Sequence, residues 1–355
     1  MGKRGSWENV ESVRVSLERM VGAPKNASLD ELAELLASED EGLWCEVFAA
    51  AREVKAKCGK SEVLPRGLIE TSNICAKDCL YCGIRKGNGK VSRYLIPEAE
   101  VEACIDEARR RGYPAVAFQA GEIESEANTA YYERLTAYAA GRTAVAGIPL
   151  RSSPKGPLGG VRHALPLEVT LSLGEQTEEV YRRWKDAGAM RYLIRIETSN
   201  RELYAKIHPA ECSFERRLGC IRTLKRLGYV TGSGVMIGLP GQTAEDLARD
   251  IVFYGEERLD MVGMGPYVPA PGTPLASACR RERRRYDLSL RMIALTRLYL
   301  HDVNIVAATA LEALDPEGGR NRGIEAGANV VMPVLTPEKY RRCYDLYPGK
   351  NEVVS

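Results

Sequence analysis

The chain has 355 residues, 45% of them hydrophobic, and its 50 Lys and Arg are nearly balanced by 48 Asp and Glu, giving a formal net charge of +2. This is enough apolar sequence for a large buried core, and the charge balance excludes a general attraction to nucleic acid or to an anionic membrane surface. No unbroken apolar stretch is long enough to span a bilayer, and no apolar segment follows the basic start of the chain. We therefore expect neither membrane insertion nor secretion.

The ten cysteines are diluted over a chain that can build its own core, a pattern typical of a protein from a reducing cytoplasm. Three of them lie close together between residues 75 and 82. The others show no ligand spacing and are predicted to be small, buried hydrophobic side chains: Cys45, Cys58, Cys104, Cys212, Cys220, Cys279 and Cys343.

Residues 1–62 are predicted to form a helical extension. Ser28 followed by Glu31 has the pattern of a capped helix start, a longer helix is predicted over 41–57, and no strand pattern precedes Leu64. The remainder, 63–355, is predicted to be one barrel domain.

In that remainder, short apolar and β-branched runs alternate with amphipathic stretches. The predicted strands are 67–72, 115–119, 168–173, 191–197, 232–237, 261–266, 304–309 and 329–333. The predicted helices between them are 97–111, 130–140, 176–188, 213–227, 243–257, 284–300 and 317–326. Eight strands alternating with helices match an α/β fold of the (β/α)8 TIM-barrel type, and a doubly wound open sheet is the alternative.

One segment interrupts this alternation. The stretch 147–165 is rich in Pro, Gly and Ser, and it lies in a helix-to-strand connection. Such connections lie away from the catalytic face of a barrel, so a surface insertion is predicted. The basic run 280–285 is predicted to be a solvated helix start rather than a site for a polyanion.

Cys75, Cys79 and Cys82 form a C-x3-C-x2-C motif directly after the first predicted strand, where a barrel places its catalytic loops. Protein thiolates usually hold each iron of a four-iron cluster, so three local cysteines leave one iron open to a small chelating ligand. A zinc site, an ordinary electron-transfer cluster and chance clustering are the alternatives. Zinc sites usually pair two C-x2-C units or add histidines, and none of the three histidines lies near this motif in the sequence.

Charged residues follow the later strands. Glu122 ends the second predicted strand and Glu175 follows the third, while Arg195 and Glu197 alternate with apolar residues in the fourth and so share one face. Charges on the interior face of a barrel need partners, which makes these residues site candidates. A solvated Glu122 in a strand-ending turn and a purely structural pair of Arg195 with Glu197 are the alternatives.

The cysteine motif, with Tyr81 before its last cysteine, resembles the radical S-adenosylmethionine (SAM) superfamily. The resemblance implies a [4Fe-4S] cluster whose open iron is chelated by the methionine amino and carboxylate groups of SAM. It also implies reductive cleavage of SAM to a 5′-deoxyadenosyl radical. The implied metal ligands are Cys75, Cys79 and Cys82, which together with Arg195 form the implied catalytic set.

The same resemblance implies contacts to SAM. Glu122 would receive the methionine ammonium, Glu175 the ribose hydroxyls and Arg195 the methionine carboxylate. The glycine-containing fifth strand would lie against the adenine. The full set of implied cofactor-binding residues is Tyr81, Gly121, Glu122, Ser172, Glu175, Arg195, Glu197, Met236 and Gly238.

Over roughly residues 65–350 the chain is most similar to the HydE maturases of [FeFe]-hydrogenase. The passages that carry this likeness are 70–73, 80–85, 170–175, 195–200, 238–243 and 346–350. It implies a closed barrel cavity and attack of the adenosyl radical at the sulfur of a cysteine-ligated Fe(CO)2(CN) precursor. The implied partners are this small organometallic substrate, a reducing donor such as ferredoxin or flavodoxin, and the other maturases.

The chain departs from the HydE pattern in places. Ile196 stands where the pattern has a histidine, the stretch 147–165 is extra, and only Cys343 lies near the C-terminus, so a second cluster is not expected. A paralogue with another small-molecule substrate, or an amino-acid mutase resembling methylornithine synthase, is the alternative; biotin synthase is related to both. A non-catalytic iron–sulfur or zinc protein is the alternative from another class. The substrate cavity is expected around Tyr267, Thr309 and Met332.

Overall fold

The structure is a computed structural model, and it describes residues 5–142, 144–145, 148–149, 166–277 and 282–350. The helices are α1 (Gly5–Gly22), α2 (Leu29–Ala37), α3 (Glu41–Lys57), α4 (Glu98–Arg110), α5 (Glu126–Ala139), α6 (Glu178–Asp186), α7 (Arg201–Ile207), α8 (Phe214–Arg226), α9 (Ala244–Glu256), α10 (Glu282–Leu300), α11 (Thr309–Leu314), α12 (Gly319–Ala326) and α13 (Glu338–Arg341). The strands are β1 (Leu64–Ser72), β2 (Ala115–Ala120), β3 (Ala144–Val145), β4 (Ile148–Pro149), β5 (Glu168–Ser172), β6 (Ala189–Leu193), β7 (Val230–Ser233), β8 (Met236–Ile237), β9 (Met261–Pro266), β10 (Asn304–Ala307) and β11 (Val330–Val331).

Eight of these strands form a closed parallel barrel in the order β1-β2-β5-β6-β7-β9-β10-β11. The ring closes where β11 pairs with β1, with Leu64 opposite Val330. The predicted (β/α)8 fold with an N-terminal helical extension is therefore confirmed, and the open-sheet alternative is wrong.

A continuous hydrophobic core lies between the barrel and its helices. Trp184 of α6 stacks on Tyr192 of β6 with ring centroids 6.2 Å apart, and Tyr132 of α5 packs edge-on against Trp184 at 6.0 Å. Buried aromatic rings contribute large apolar areas and prefer these geometries. The packing fixes α5 and α6 beside the strands whose ends carry Glu122 and Glu175.

The N-terminal helices pack against the outer barrel helices α9, α10 and α12. Ser28 and Glu31 form the predicted capping box at the start of α2. Lys55 of α3 donates to the carbonyl of Ile324 at 2.9 Å, which ties the extension to α12.

The fourth and fifth predicted strands are shorter than the sequence pattern indicates. Strand β6 ends at Leu193 rather than at 197. Its regular pairing with β7 stops there, and Glu197, with a φ of +66°, makes only an isolated bridge to Val235. The predicted strand 232–237 is divided into β7 and β8. Of the predicted insertion 147–165, residues 148–149 pair with 144–145 in a short antiparallel ladder, and the rest lies outside the described residues.

The prediction that the isolated cysteines are buried holds for Cys104, Cys212 and Cys220. It is wrong for Cys45, which is exposed, and for Cys58 and Cys343, which are half-buried. Cys279 lies outside the described residues.

The basic run does open a helix, since α10 begins at Glu282. Arg283 and Arg284 are exposed as predicted, but Arg285 is only 5% exposed, so the solvated interpretation is wrong for this residue. Arg280 and Arg281 lie outside the described ranges. Within those ranges, no helix combines the length and apolarity needed to cross a membrane.

Candidate active site

The three motif cysteines lie in the loop that leaves the C-terminal end of β1. The fully buried Asn73 fixes the start of this loop, because its Nδ2 donates to the carbonyls of Ser92 at 2.8 Å and Cys343 at 2.7 Å. Arg93 Nη1 donates to the carbonyls of Asn73 at 2.6 Å and Ile84 at 2.7 Å. The loop is thus held by side chains outside the motif, which satisfy backbone groups that would otherwise be unpaired.

Cys75 has the surroundings of a thiolate ligand. The backbone N–H groups of Lys77 and Glu122 point at its Sγ from 3.4 and 3.3 Å. Burial raises the pKa of the Cys75 thiol and raises the pKa of Cys82 to about 12. A thiol bound to a metal loses its proton, and the two N–H groups are placed to stabilise the resulting charge.

The thiols of the motif lie near one another on one loop, since Cys82 acts electrostatically on Cys79 and Cys75 acts on Cys82. A four-iron cluster takes each cysteine on a different iron, so three neighbouring thiols on one loop suit such a cluster. In the part of the chain that the structure describes, no three His, Cys, Asp or Glu side chains converge as ligands of a single ion would.

Glu122 and Glu175, which follow different strands, meet in one buried charged cluster and are 6% and 1% exposed. Lys77 Nζ lies 3.0 Å from Glu122 Oε1 and 3.4 Å from Glu175 Oε2. Arg217 Nε donates to Glu175 Oε1 at 2.6 Å, and Arg217 Nη2 lies 3.8 Å from Glu122 Oε2. The solvated-turn alternative for Glu122 is therefore wrong.

The two carboxyl groups differ in how well their charge is compensated. Burial raises the pKa of Glu122, and Arg217 and Lys77 offset this only in part. At Glu175 burial acts in the same direction but is outweighed by Arg217, Lys77 and Arg216, which lower the pKa. Glu122 is thus the carboxyl group that gains most from a further cation, such as an ammonium group.

Gly121 allows the second strand to approach the cysteine loop. A Cβ at this position would stand 2.3 Å from the Ile74 carbonyl oxygen and 2.7 Å from Cys75 Cβ. Gly121→Ala is expected to displace Cys75, to reduce iron incorporation, and to lower the free energy of unfolding by about 1–3 kcal/mol. The matched control is Gly89→Ala, since a Cβ there meets nothing within 4 Å. Equal iron per chain in the two variants after anaerobic reconstitution would contradict this packing.

Arg195 and Glu197 form the ion pair that the sequence left as a structural alternative. Arg195 Nε donates to both Glu197 carboxylate oxygens at 3.0 Å, while Nη1 and Nη2 donate to the carbonyls of Gly263 at 2.9 Å and Val235 at 2.8 Å. Only some of the guanidinium N–H groups therefore remain available to a ligand. The left-handed backbone of Glu197 is a strained conformation of the kind that clusters at functional sites.

An apolar cluster lies beside the cysteine loop. Tyr81 and Met236, two of the implied cofactor contacts, pack there with Leu203, Ile207, Leu239, Tyr267 and Leu275. Gly238 comes directly after β8. Its N–H donates to Gln242 Oε1 at 2.7 Å, which fixes the turn between β8 and α9. Ser172 lies half-buried at the end of β5. The flat ring of Tyr81, the thioether of Met236 and the accessible backbone at Gly238 together suit the binding of a heteroaromatic base.

His208 is a site residue that the sequence did not identify. Its Nε2 lies 3.2 Å from the Tyr81 hydroxyl and its Nδ1 lies 3.0 Å from the Tyr204 carbonyl oxygen, while its ring stacks on Tyr204 at 3.9 Å. Burial lowers the pKa of His208 to about 4, so the imidazole is neutral near pH 7. It holds Tyr81 in place without bringing a charge into the cluster.

This depressed pKa predicts a pH dependence of stability. The pKa of His208 falls from 6.5 to about 4 on folding, so between these values the unfolded chain binds more protons. The histidine therefore contributes about 2 kcal/mol less to the free energy of unfolding at pH 5 than at pH 7. His208→Gln should lose that much less stability than the wild type over this interval in urea denaturation. Parallel pH profiles of the two proteins would contradict the assignment.

Two further residues reach the site only through the fold. Arg217 comes from the first turn of α8 and also donates to the Arg195 carbonyl at 2.8 Å. Cys212, from the loop before that helix, is hydrogen-bonded to Cys79. Neither residue lies at a sequence spacing that relates it to the cysteine motif. Only their position in the connection between the fourth and fifth barrel strands could have identified them as site candidates.

A family model described as the radical SAM superfamily matches residues 69–253. The chain is also 42% identical over 319 residues to the [FeFe] hydrogenase maturase subunit HydE of Thermotoga maritima, covering 90% of this chain and 83% of that protein. The chain belongs to the radical SAM superfamily.

This radical SAM enzyme has more distant relatives as well. It is 26% identical over 307 residues to 3-methylornithine synthase of Methanosarcina acetivorans, covering 86% of this chain and 79% of that protein. The crystal structure of a methylornithine synthase superposes with a TM-score of 0.73 at 22% identity, covering 89% of this chain and 85% of that one. The likeness to that structure shows the barrel fold.

Members of the superfamily bind a [4Fe-4S] cluster and SAM, and so does this enzyme. When bound, the cluster and SAM together supply a 5′-deoxyadenosyl radical by reductive cleavage. The described residues fit both groups. The cysteine loop offers three thiols on a braced backbone, the charged cluster around Glu122 suits the amino-acid end of SAM, and the apolar cluster with Tyr81 suits its base.

Proposed function

We propose that this radical SAM enzyme is a HydE-type maturase that acts in assembly of the [FeFe]-hydrogenase diiron subcluster. The observation that carries the proposal is the 42% identity to a HydE protein over 90% of the chain, against 26% to 3-methylornithine synthase. The higher identity favours the HydE-type reaction over the mutase reaction.

In this proposal the site residues have distinct tasks. Cys75, Cys79 and Cys82 hold the cluster, and Glu122 accepts the methionine ammonium, for which its poorly compensated charge is suited. Glu175 binds the ribose hydroxyls, and Arg195 binds the methionine carboxylate with the donors that its pairing to Glu197 leaves. The remaining contacts to SAM come from Tyr81, Gly121, Ser172, Glu197, Met236 and Gly238.

The substrate is proposed to be a cysteine-ligated Fe(CO)2(CN) species, bound deeper in the barrel. Thr309 Oγ1 lies 2.8 Å from the Tyr347 hydroxyl, which makes a polar pair, and the half-buried Met332 packs with Leu68 and Val334. Such a mixed lining suits a compact ligand with polar and apolar parts. Tyr267 packs instead beside Met236, with its hydroxyl donating to the Leu275 carbonyl at 3.1 Å, so it is assigned to the cofactor side.

The decisive experiment is anaerobic maturation of apo-hydrogenase in vitro, with this enzyme as the sole source of the HydE step. A reduced ferredoxin or flavodoxin and the other maturases complete the mixture. Hydrogenase activity that requires the wild type, and is absent with Cys79→Ala, is the expected result. No active hydrogenase from a preparation that cleaves SAM would overturn the HydE proposal and leave the superfamily membership intact.

The second candidate is an amino-acid mutase resembling 3-methylornithine synthase, which both sequence and fold comparisons include. It predicts that the enzyme forms 3-methylornithine by isomerising an amino acid of the same composition, of which lysine is the straight-chain form. Mass spectrometry of an anaerobic reaction with lysine and SAM distinguishes the two candidates, because a HydE-type enzyme is expected to give no such product.

A further inference from the structure

A cleft of about 790 Å³ lies outside the barrel, where α2, α9 and α10 meet. Its walls are the end of α2, the loop 238–243 and the first turns of α9 and α10. This volume falls in the range of small-molecule sites, roughly 300–1,000 Å³. Neither the cofactors nor the proposed substrate uses it, since the loop 238–243 separates it from the apolar cluster around Met236.

The cleft has an excess of positive charge. Its lining includes four arginines and two acids, namely Arg283, Arg284, Arg285, Arg291, Glu39 and Asp287. Arg291 is already held, because its guanidinium lies 4.6 Å over the Trp44 ring and its Nη1 donates to the Ser38 carbonyl at 2.9 Å. The excess stands out in a chain whose net charge is only +2.

Arg285 is the buried member of this set. It is 5% exposed, and within the described chain its Nε and Nη2 are buried with no hydrogen-bond partner. Its stem lies across Gly238, where a Cβ would stand 2.3 Å from Arg285 Cγ. A buried guanidinium with unused donors is costly, and an oxyanion in the cleft would satisfy it.

We propose that this cleft binds a phosphorylated small molecule whose phosphate group pairs with Arg285. A guanidinium fork matches the oxygens of a phosphate in a bidentate manner, and the additional exposed arginines suit a ligand with more than one negative charge. The concave shape and limited volume favour a small molecule over a protein surface. Phosphate binding in this cleft does not depend on the proposed maturase function.

The ligand would bind against the loop 238–243, whose other face borders the proposed cofactor site. Gln242 Oε1 accepts from the N–H groups of Gly238 at 2.7 Å and Leu239 at 3.1 Å, which makes the loop 238–243 a rigid partition. Gly238 contacts Arg285 on one side of this partition, and Met236 and Leu239 belong to the apolar cluster on the other.

The test is calorimetric titration of the reconstituted enzyme with pyrophosphate and with inorganic phosphate at constant ionic strength. Pyrophosphate is expected to bind the wild type and to bind Arg285→Met about tenfold or more weakly. Arg222→Met is the matched control, because Arg222 pairs with Glu257 on the exposed surface of α8, and its affinity should equal that of the wild type.

A second variant keeps the test valid if Arg285→Met folds poorly. Ala37 lies exposed at the end of α2 and lines the cleft, so Ala37→Glu places a carboxylate at its mouth without touching Arg285. It should also weaken pyrophosphate binding about tenfold or more. Equal affinities of the wild type and both variants, absence of pyrophosphate binding, or binding of inorganic phosphate alone would each overturn the proposal.

Discussion

Cys79→Ala is expected to reduce SAM cleavage to the uncatalysed background. Cys79 stands in the middle of the motif, on a loop braced by Asn73 and Arg93, and in the proposed ligand set it supplies one of three thiolates for the cluster. Loss of one of these ligands leaves a second iron without a protein thiolate, so the variant should bind less iron. The measurement is 5′-deoxyadenosine formed per chain under dithionite, together with iron content.

The matched control for this variant is Cys104→Ala. Cys104 is also a buried cysteine, 7% exposed, but it lies on α4 within the hydrophobic core. It should retain iron and SAM cleavage and lose only some stability. Cleavage by Cys79→Ala at a rate similar to that of Cys104→Ala would remove the assignment of the motif as the cluster site.

Lys350→Met is expected to lower the free energy of unfolding by roughly 3–5 kcal/mol. Lys350 Nζ pairs with Glu70 Oε1, and the two residues are 5% and 0% exposed. Removal of the lysine leaves a carboxylate buried without a counter-charge, and its Oε2 already has no hydrogen-bond partner among the described residues. Because Glu70 lies in β1 just before the cysteine loop, the loss should also reduce iron retention.

Two controls isolate the buried charge in urea denaturation. Lys339→Met removes an exposed lysine that pairs with Glu100 at 2.8 Å, and it should cost about 0–1 kcal/mol. The double variant Glu70→Gln with Lys350→Met should recover part of the loss, since no unpaired charge remains. Equal destabilisation by Lys350→Met and Lys339→Met would show that the buried pair contributes no more to the free energy of unfolding than an exposed pair does.

The barrel could be predicted from the sequence because its signals are local. Each strand is a short apolar run with its own flanking helix, and eight such units in a row leave few other arrangements. The errors occur where the chain leaves that regularity. Glu197 reads as a strand residue in an alternating pattern, yet its backbone is left-handed and it pairs only through an isolated bridge to Val235. No periodicity encodes such a conformation.

The site was predictable only where its residues are neighbours in the sequence or stand at strand ends. The cysteine motif and Glu122 are of this kind. Arg217 and His208 belong to segments whose local pattern is that of ordinary helices, and the barrel brings them to Glu175 and Tyr81. Arg285 was predicted to be solvated because it belongs to a basic run, and such runs are usually solvated. Only the fold shows that this member of the run is buried.

The cluster site is tested most directly by anaerobic reconstitution with iron and sulfide, followed by electron paramagnetic resonance of the reduced protein before and after SAM is added. We expect about four irons per chain. We also expect a reduced-cluster signal that changes when SAM binds the open iron, and loss of both the iron and the signal in Cys79→Ala. A protein that binds zinc in place of the cluster, or a cluster signal that SAM leaves unchanged, would show that this is not a radical SAM site.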